Sequence, residues 1–356
     1  MKFETESIKD LRKLIIEANT FGARGYVRLT LSGDNLQIRA KSQNSGSINS
    51  IGVDGQEDGS AEVSADRLST VAGGLPDGIR TVFSVKDDSL CIRQKGISFK
   101  LKTRDKDDET TAKGPEDKTE VPTDDEWTPL PEGFQDAVAR VYYASSSDET
   151  KPALRGIRLD HVDGVLNIVA SDGRRLSIVS VDDKGTGSVT VPVGFLSQVV
   201  KKEVEAVAIL KNSIWFKAGT GFYFSTLITN QFPAYSRVIP SSSDMKSLKF
   251  KRQDMEDAVK RMSLTTDINR RLLIDVHEKR LDLHSGNEAG SGKESIVCDG
   301  GEDFNLAFQI RYIMDILKCT KAEFITMSYP ESKSPAVFSD DRCPNWKAVV
   351  MPMIRG

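Results

Sequence analysis

One pattern recurs three times along this 356-residue chain and limits its fold more than any composition figure does. An amphipathic helix pattern begins near residues 8, 133 and 253, and a second near 65, 193 and 307, with strand-like alternation after each. Within a round the two helix starts lie about 57, 60 and 54 residues apart, and the rounds repeat roughly every 115–125 residues. So long a period lies outside the short repeats of solenoids. It predicts an α+β chain of three tandem copies of a two-helix, multi-strand domain. The expected divisions are 1–104, 129–241 and 242–356, with 105–128 as an acidic linker or insert.

In the first round a strand is expected at residues 1–4 and a helix over 7–19, with Ser7 able to cap it. Ile8, Leu11, Leu14, Ile15 and Ala18 form one stripe, while Lys9, Arg12 and Lys13 fall opposite. Strands follow at 26–31 and 36–40, with a weak one at 48–53 in a stretch rich in Ser, Gly and Asn. A helix over 65–72 ends at Gly73-Gly74, and strands are expected at 81–85, 89–93 and 97–102.

The second round starts with a helix over 132–143 that groups Phe134, Val138 and Val141. Strands at 156–159, 165–170 and 176–181 follow. The last two flank Ser171-Asp172-Gly173, where glycine permits a positive φ and Asp can bond its own turn. Arg174 and Arg175 stand at that tip. A helix over 193–202 and strands at 207–210, 213–218 and 222–228 lead to NQFPAYSRVIP, whose prolines bracket Tyr235 and Arg237.

In the third round a helix over 253–262 groups Met255, Ala258, Val259 and Met262, and strands fall at 272–276 and 280–284. A helix over 307–318 turns Phe308, Tyr312, Ile313 and Ile316 inward and Arg311 and Lys318 outward. Strands at 324–328, 336–339 and 346–351 close the chain.

The formal charge of −3 hides an asymmetry. Residues 105–126 hold ten acids and three lysines, a net −7, which leaves +4 elsewhere. With almost no apolar residue that segment reads as a solvated linker. It is no EF-hand, since Thr110 stands where the calcium loop needs glycine. No apolar run reaches the ~20 residues that span a bilayer, and the charged N-terminus does not read as a signal peptide. Cys91, Cys298, Cys319 and Cys343 lie far apart and form no CxxC pair, as expected of reduced cytoplasmic thiols. His161, His277 and His284 have no metal-ligand spacing, so no metal is expected.

Candidate chemistry fails on inspection. Gly290-Ser291-Gly292-Lys293 has Asn287 where a Walker loop needs glycine and Glu294 where it needs Ser or Thr, and reads as a polar loop. Ser171-Asp172-Gly173 lacks the flanking glycines of a nucleophile elbow. No paired carboxylates suit general acid–base work. The basic positions Lys9, Arg12, Lys13, Arg24, Arg140, Lys201, Lys202, Arg311 and Lys318 are either ordinary solvated residues or parts of one surface for phosphates. Recurrence on helices of all three rounds favours the surface.

Four motifs carry a resemblance: LRGIRLDHVDGVLNIVASDGRRLSIVSV (154–181), FPAYSRVIP (232–240), FQIRYIMDILK (308–318) and AVVMPMIRG (348–356). In order and spacing they resemble the bacterial-type DNA polymerase III beta subunit, the sliding-clamp family, over 130–356, and more loosely before that. The resemblance implies a head-to-tail homodimer closing a six-domain ring around duplex DNA, without sequence preference. It implies a non-catalytic processivity factor with no cofactor and no membrane contact, tethering polymerase, clamp loader and repair proteins. Their peptides would enter a pocket of Leu154, Ser171, Gly173, Arg174, Arg175, Leu176, Pro233, Arg237, Val238, Tyr312, Val349, Met351, Pro352 and Met353. Its flexible methionines suit several partners. Phe99 and Leu264 match the dimer joint. The acidic insert, Lys151 and Gln309 depart from the family pattern. Alternatives are a protein scaffold that never meets DNA, or a metal-dependent nuclease, for which no ligand set is present.

Overall fold

The computed structural model describes residues 1–22, 25–104, 120–240, 245–268, 270–330 and 334–354. Arg24, most of the acidic segment (105–119) and Arg355-Gly356 lie outside the described residues. By contacts the chain divides into two units, Met1–Leu130 with Lys201–Leu227, and Pro131–Val200 with Ile228–Gly356.

The first unit holds helices α1 (Ile8–Phe21) and α2 (Ala65–Gly74) and two antiparallel sheets. In the five-stranded sheet, Lys2–Thr5 lies between Asp54–Glu57 and Thr81–Lys86, and Ile97–Lys102 forms an edge. The eight-stranded sheet pairs Gly221–Thr226 with Ser45–Gly52. That ladder is why 201–227 belongs to the first unit. The α1 stripe behaves as its periodicity demands: Ile8, Leu11, Ile15 and Ala18 are buried in one core with Leu29, Ile38, Leu68, Phe83 and Ile92. Phe3 and Phe83 stack there at 4.7 Å. Ser7 precedes α1 without capping it, because its hydroxyl bonds the Asp10 carboxylate. At α2 the Ser64 hydroxyl does cap, accepting from the Arg67 N–H. Strand Asp54–Glu57 has no apolar residue and Gly59–Ser64 only Ala61 and Val63; pairing with Lys2–Thr5 and Tyr26–Ser32 makes them strands.

The second unit holds α3 (Phe134–Val141), α4 (Val193–Val199), α5 (Arg252–Met262), α6 (Ile310–Cys319) and an antiparallel twelve-stranded sheet. At its centre Arg175–Asp182 pairs with Trp346–Val350, setting Leu176 opposite Val349. Three expectations are corrected here. The supposed polar loop at 290–293 opens an eleven-residue strand, Gly290–Gly300, zipped onto Arg280–Asn287. The Asn287 side chain accepts from the Ala289 and Gly290 N–H groups and makes the turn between them. The helix expected from 307 begins at Ile310, because Phe304–Gln309 pairs with Arg271–Val276. Phe308 is buried all the same, from a strand. The helix expected to reach 202 ends at Val199. Met245–Lys251 is a strand between Phe324–Pro330 and Gly290–Gly300, although four of its seven residues are Ser or Lys.

A buried ion pair ties α3 to this sheet. Arg140 Nη1 donates to Asp340 Oδ2 at 2.8 Å, and the guanidinium lies 5.5 Å from the Trp346 ring. Trp346 Nε1 donates to Ser177 Oγ at 3.0 Å, and Ser177 donates to the Arg140 carbonyl at 3.1 Å. Burial by itself would raise the Asp340 pKa; the Thr320 hydroxyl, Arg140 and the Cys343 N–H outweigh it and hold the carboxyl below 3.8. A carboxylate depressed in the folded state stabilises it above the unfolded pKa, and that contribution disappears as pH falls through the lower folded value. Asp340→Asn is therefore expected to lose Asp340's share of the acid limb, giving a shallower fall in stability below about pH 4. Urea midpoints between pH 6 and pH 3 check this, and an acid limb as steep as in the parent protein would refute it.

Candidate functional site

The hairpin turn after Val165–Ser171 is built by its own side chains. Asp172 Oδ1 accepts from the N–H groups of Arg174 (2.9 Å) and Arg175 (3.0 Å). Ser171 Oγ donates to the Arg175 carbonyl at 2.7 Å and accepts from the Gly173 N–H at 3.1 Å. Gly173 sits at φ +90°, where a side chain would be strained. The Met351 N–H then donates to the Arg174 carbonyl at 2.9 Å, which fixes the turn beside the end of the last strand.

Together these elements wall a cavity of about 360 Å³. Of the fourteen pocket positions, Leu154, Ser171, Gly173, Arg174, Arg175, Leu176, Pro233, Val238, Val349 and Met351 line it. Phe232, Ala234 and Tyr235 line it as well. They were present in FPAYSRVIP, but alternation cannot rank residues in a proline-rich turn. Leu154, Val169, Leu176, Ile178, Phe232 and Val349 form the apolar floor. Val238 and Met351 stay 48% and 44% exposed at the rim. Tyr235 is half-buried and donates to Asp160 Oδ2 at 2.8 Å; burial first, then that carboxylate, pushes its phenol well up. A half-open apolar cleft of this volume with few polar groups is suited to side chains of a short peptide or a compact ligand.

Four expected positions stand outside the lining. Arg237 is exposed on the Tyr235–Val238 turn, and Pro352 and Met353 continue past the rim, with the Met353 N–H donating to the Ala307 carbonyl at 2.7 Å. Tyr312, on α6, meets the site at the turn, its ring 4.5 Å from the Arg175 guanidinium and its hydroxyl close to Asp172.

The basic positions divide by partner. In the first unit Lys9, Arg12, Lys13 and Lys202 border an open depression with Ile16 and Glu17. Arg12 donates to the Ala72 (2.8 Å) and Leu75 (2.6 Å) carbonyls, closing the C-terminal end of α2. Lys202 pairs with buried Glu17, which also accepts from Tyr223 Oη at 2.8 Å. Lys9, Lys13 and Lys201 are exposed. In the second unit Arg311 and Lys318 are exposed on α6, whereas Arg140 is committed to Asp340. The expected outward face for Arg140 is thus corrected: its charge belongs to an interior pair 200 residues away in sequence. Phe99 is 39% exposed on the edge strand Ile97–Lys102, and Leu264 is 81% exposed after α5.

Among the described residues no group of three or more His, Cys, Asp or Glu could hold a metal ion. The histidines stand beside carboxylates: His161 by Asp183 (2.7 Å), His277 by Asp303 (3.0 Å) and Asp282 (3.8 Å), and His284 by Asp275 (3.2 Å). Among the described residues no helix is long and apolar enough to cross a membrane.

Comparison with known proteins gives a consistent set of likenesses. The family model for the DNA polymerase III beta subunit, central domain, matches residues 130–234, and that for its C-terminal domain matches 236–354. A beta sliding clamp from Chlamydia pneumoniae is 27% identical over 233 residues, covering 62% of this chain and 63% of that protein. One from Treponema pallidum is 27% identical over 328 residues, covering 86% and 85%. The fold resembles a crystal structure of a DnaN sliding clamp (DNA polymerase III subunit beta) from Bartonella birtlesii bound to griselimycin. That likeness has a TM-score of 0.90 at 24% identity and covers 99% of both chains.

Proposed function

Because this chain belongs to the DNA polymerase III beta subunit family, we propose that it is a DNA sliding clamp. It encircles duplex DNA and tethers the replicative polymerase and other DNA-processing proteins, without catalysing a reaction itself. The observation that carries this reading is the preorganised apolar groove between the Ser171–Arg175 turn, the Phe232–Val238 segment and Met351. A groove of that kind suits the docking of a short peptide.

The assembly proposed is a head-to-tail homodimer of three-domain chains in the cytoplasm, divided at 1–104, 129–241 and 242–356, with Phe99 and Leu264 at the joint between copies. The exposed lysines and arginines Lys9, Lys13, Lys201, Arg311 and Lys318 would meet phosphates without reading bases. Arg12, Arg140 and Lys202 would serve mainly in holding their elements in place.

Topological binding has a direct test. A clamp loaded onto nicked circular DNA should stay bound through a salt wash and leave when the circle is cut to a linear form. Retention on open-ended linear DNA would argue for ordinary electrostatic binding instead. In solution the chain should sediment near twice 39.2 kDa, and a Phe99→Asp, Leu264→Asp variant should sediment as a monomer. A variant that remains dimeric would remove those two residues from the joint.

A further inference from the structure

Arg175 lies on the groove wall, yet its guanidinium is not available to a ligand. The residue is 6% exposed. Its Nε donates to Asp172 Oδ2 (3.1 Å), Nη1 to Asp315 Oδ2 (2.6 Å) and Nη2 to the Tyr143 carbonyl (2.6 Å). The Tyr143 and Tyr312 rings lie 5.3 and 4.5 Å from its centre. A planar fork held at three edges and beside two rings has little rotational freedom left.

Two of those partners connect to the groove's shape. Asp172 also accepts the N–H bonds that form the turn, so the position of Arg175 and the turn conformation are linked through one carboxylate. The turn in turn holds Met351 through the Arg174 carbonyl. Asp315 stands on α6 and contributes nothing to the cavity lining. Its other basic neighbour, Arg311, is 3.7 Å away with a 70% exposed side chain, a contact that solvent weakens. Asp315 therefore acts chiefly on Arg175.

We propose that Asp315 is a positioning residue for the peptide groove: acting through Arg175, it fixes the Ser171–Arg175 turn against α6 and so sets the gap that a docked ligand enters. This rests on the reading of the groove as a docking site. Removing the Asp315 charge leaves Arg175 paired with Asp172 and Tyr143 and beside the Tyr312 ring, so the chain stays folded while the turn loses its ion-pair tie to α6.

Griselimycin titrated calorimetrically into the full-length dimer is the test. Asp315→Asn and Arg175→Lys should each raise Kd about tenfold, and the double variant should raise it no further than either alone. Each variant should still sediment near twice 39.2 kDa, which reports an intact dimer independently of the groove. Asp315→Asn binding within about twofold of the parent overturns the proposal, as do effects that multiply to about a hundredfold in the double variant. A parent protein that takes up no griselimycin overturns the groove reading itself, and this inference with it.

Discussion

Arg140→Ala should lower the stability of the chain by about 3–5 kcal/mol and leave the salt dependence of DNA association unchanged. The Arg140 and Asp340 side chains are 15% and 0% exposed, so deleting the cation strands a carboxylate in the interior. The Thr320 hydroxyl and the Cys343 N–H would still serve Asp340, but dipoles do not replace a counter-charge. The same change removes the cation beside Trp346, whose indole is wholly buried. Urea unfolding followed by tryptophan fluorescence measures the loss. Lys13→Ala should do the opposite, leaving the midpoint in place and reducing the slope of log K against log salt by about 0.9. If Arg140→Ala shifted the slope and not the midpoint, Arg140 would be a phosphate contact after all.

On the docking reading proposed above, Val238→Asp should weaken griselimycin binding by about thirtyfold or more while lowering stability by less than about 0.5 kcal/mol. The two effects separate because Val238 is 48% exposed and lines the cavity. In the free protein a carboxylate there remains hydrated. In the complex it must lose water against the apolar floor formed by Leu176, Phe232 and Val349. On the sliding-clamp reading proposed above, polymerase docking and clamp-loader docking should fall together, while the dimer measured by sedimentation is retained. Unchanged affinity would take the Phe232–Val238 wall out of the docking site.

What local sequence could express, it expressed clearly. The stripe of α1 and the grouping of Met255, Ala258, Val259 and Met262 on α5 are buried as their spacing requires. The tip at Ser171–Arg175 uses the turn chemistry that Asp and Gly announce. Ten groove positions were recoverable because they sit in motifs whose order along the chain is itself information. Strands of mostly polar composition were a different matter. Asp54–Glu57, Met245–Lys251 and Gly290–Gly300 carry Gly, Ser, Lys and Asp with at most a pair of buried alternating residues, and became strands through partners elsewhere in the chain.

Charged side chains drew the sharpest line between the two levels. On a helical wheel Arg140 and Lys318 look alike, and at the hairpin tip so do Arg174 and Arg175. Only the folded chain brings Asp340 to Arg140 and Asp315 to Arg175, across 200 and 140 residues. Periodicity reports interactions between residues two to four apart, so the sequence alone determined which faces are apolar and where the chain turns. Which cations face water and which are locked inside depends on β-ladder register and helix packing over long separations. That choice belongs to the tertiary structure, and it separates the exposed lysines and arginines from those built into the framework of the fold.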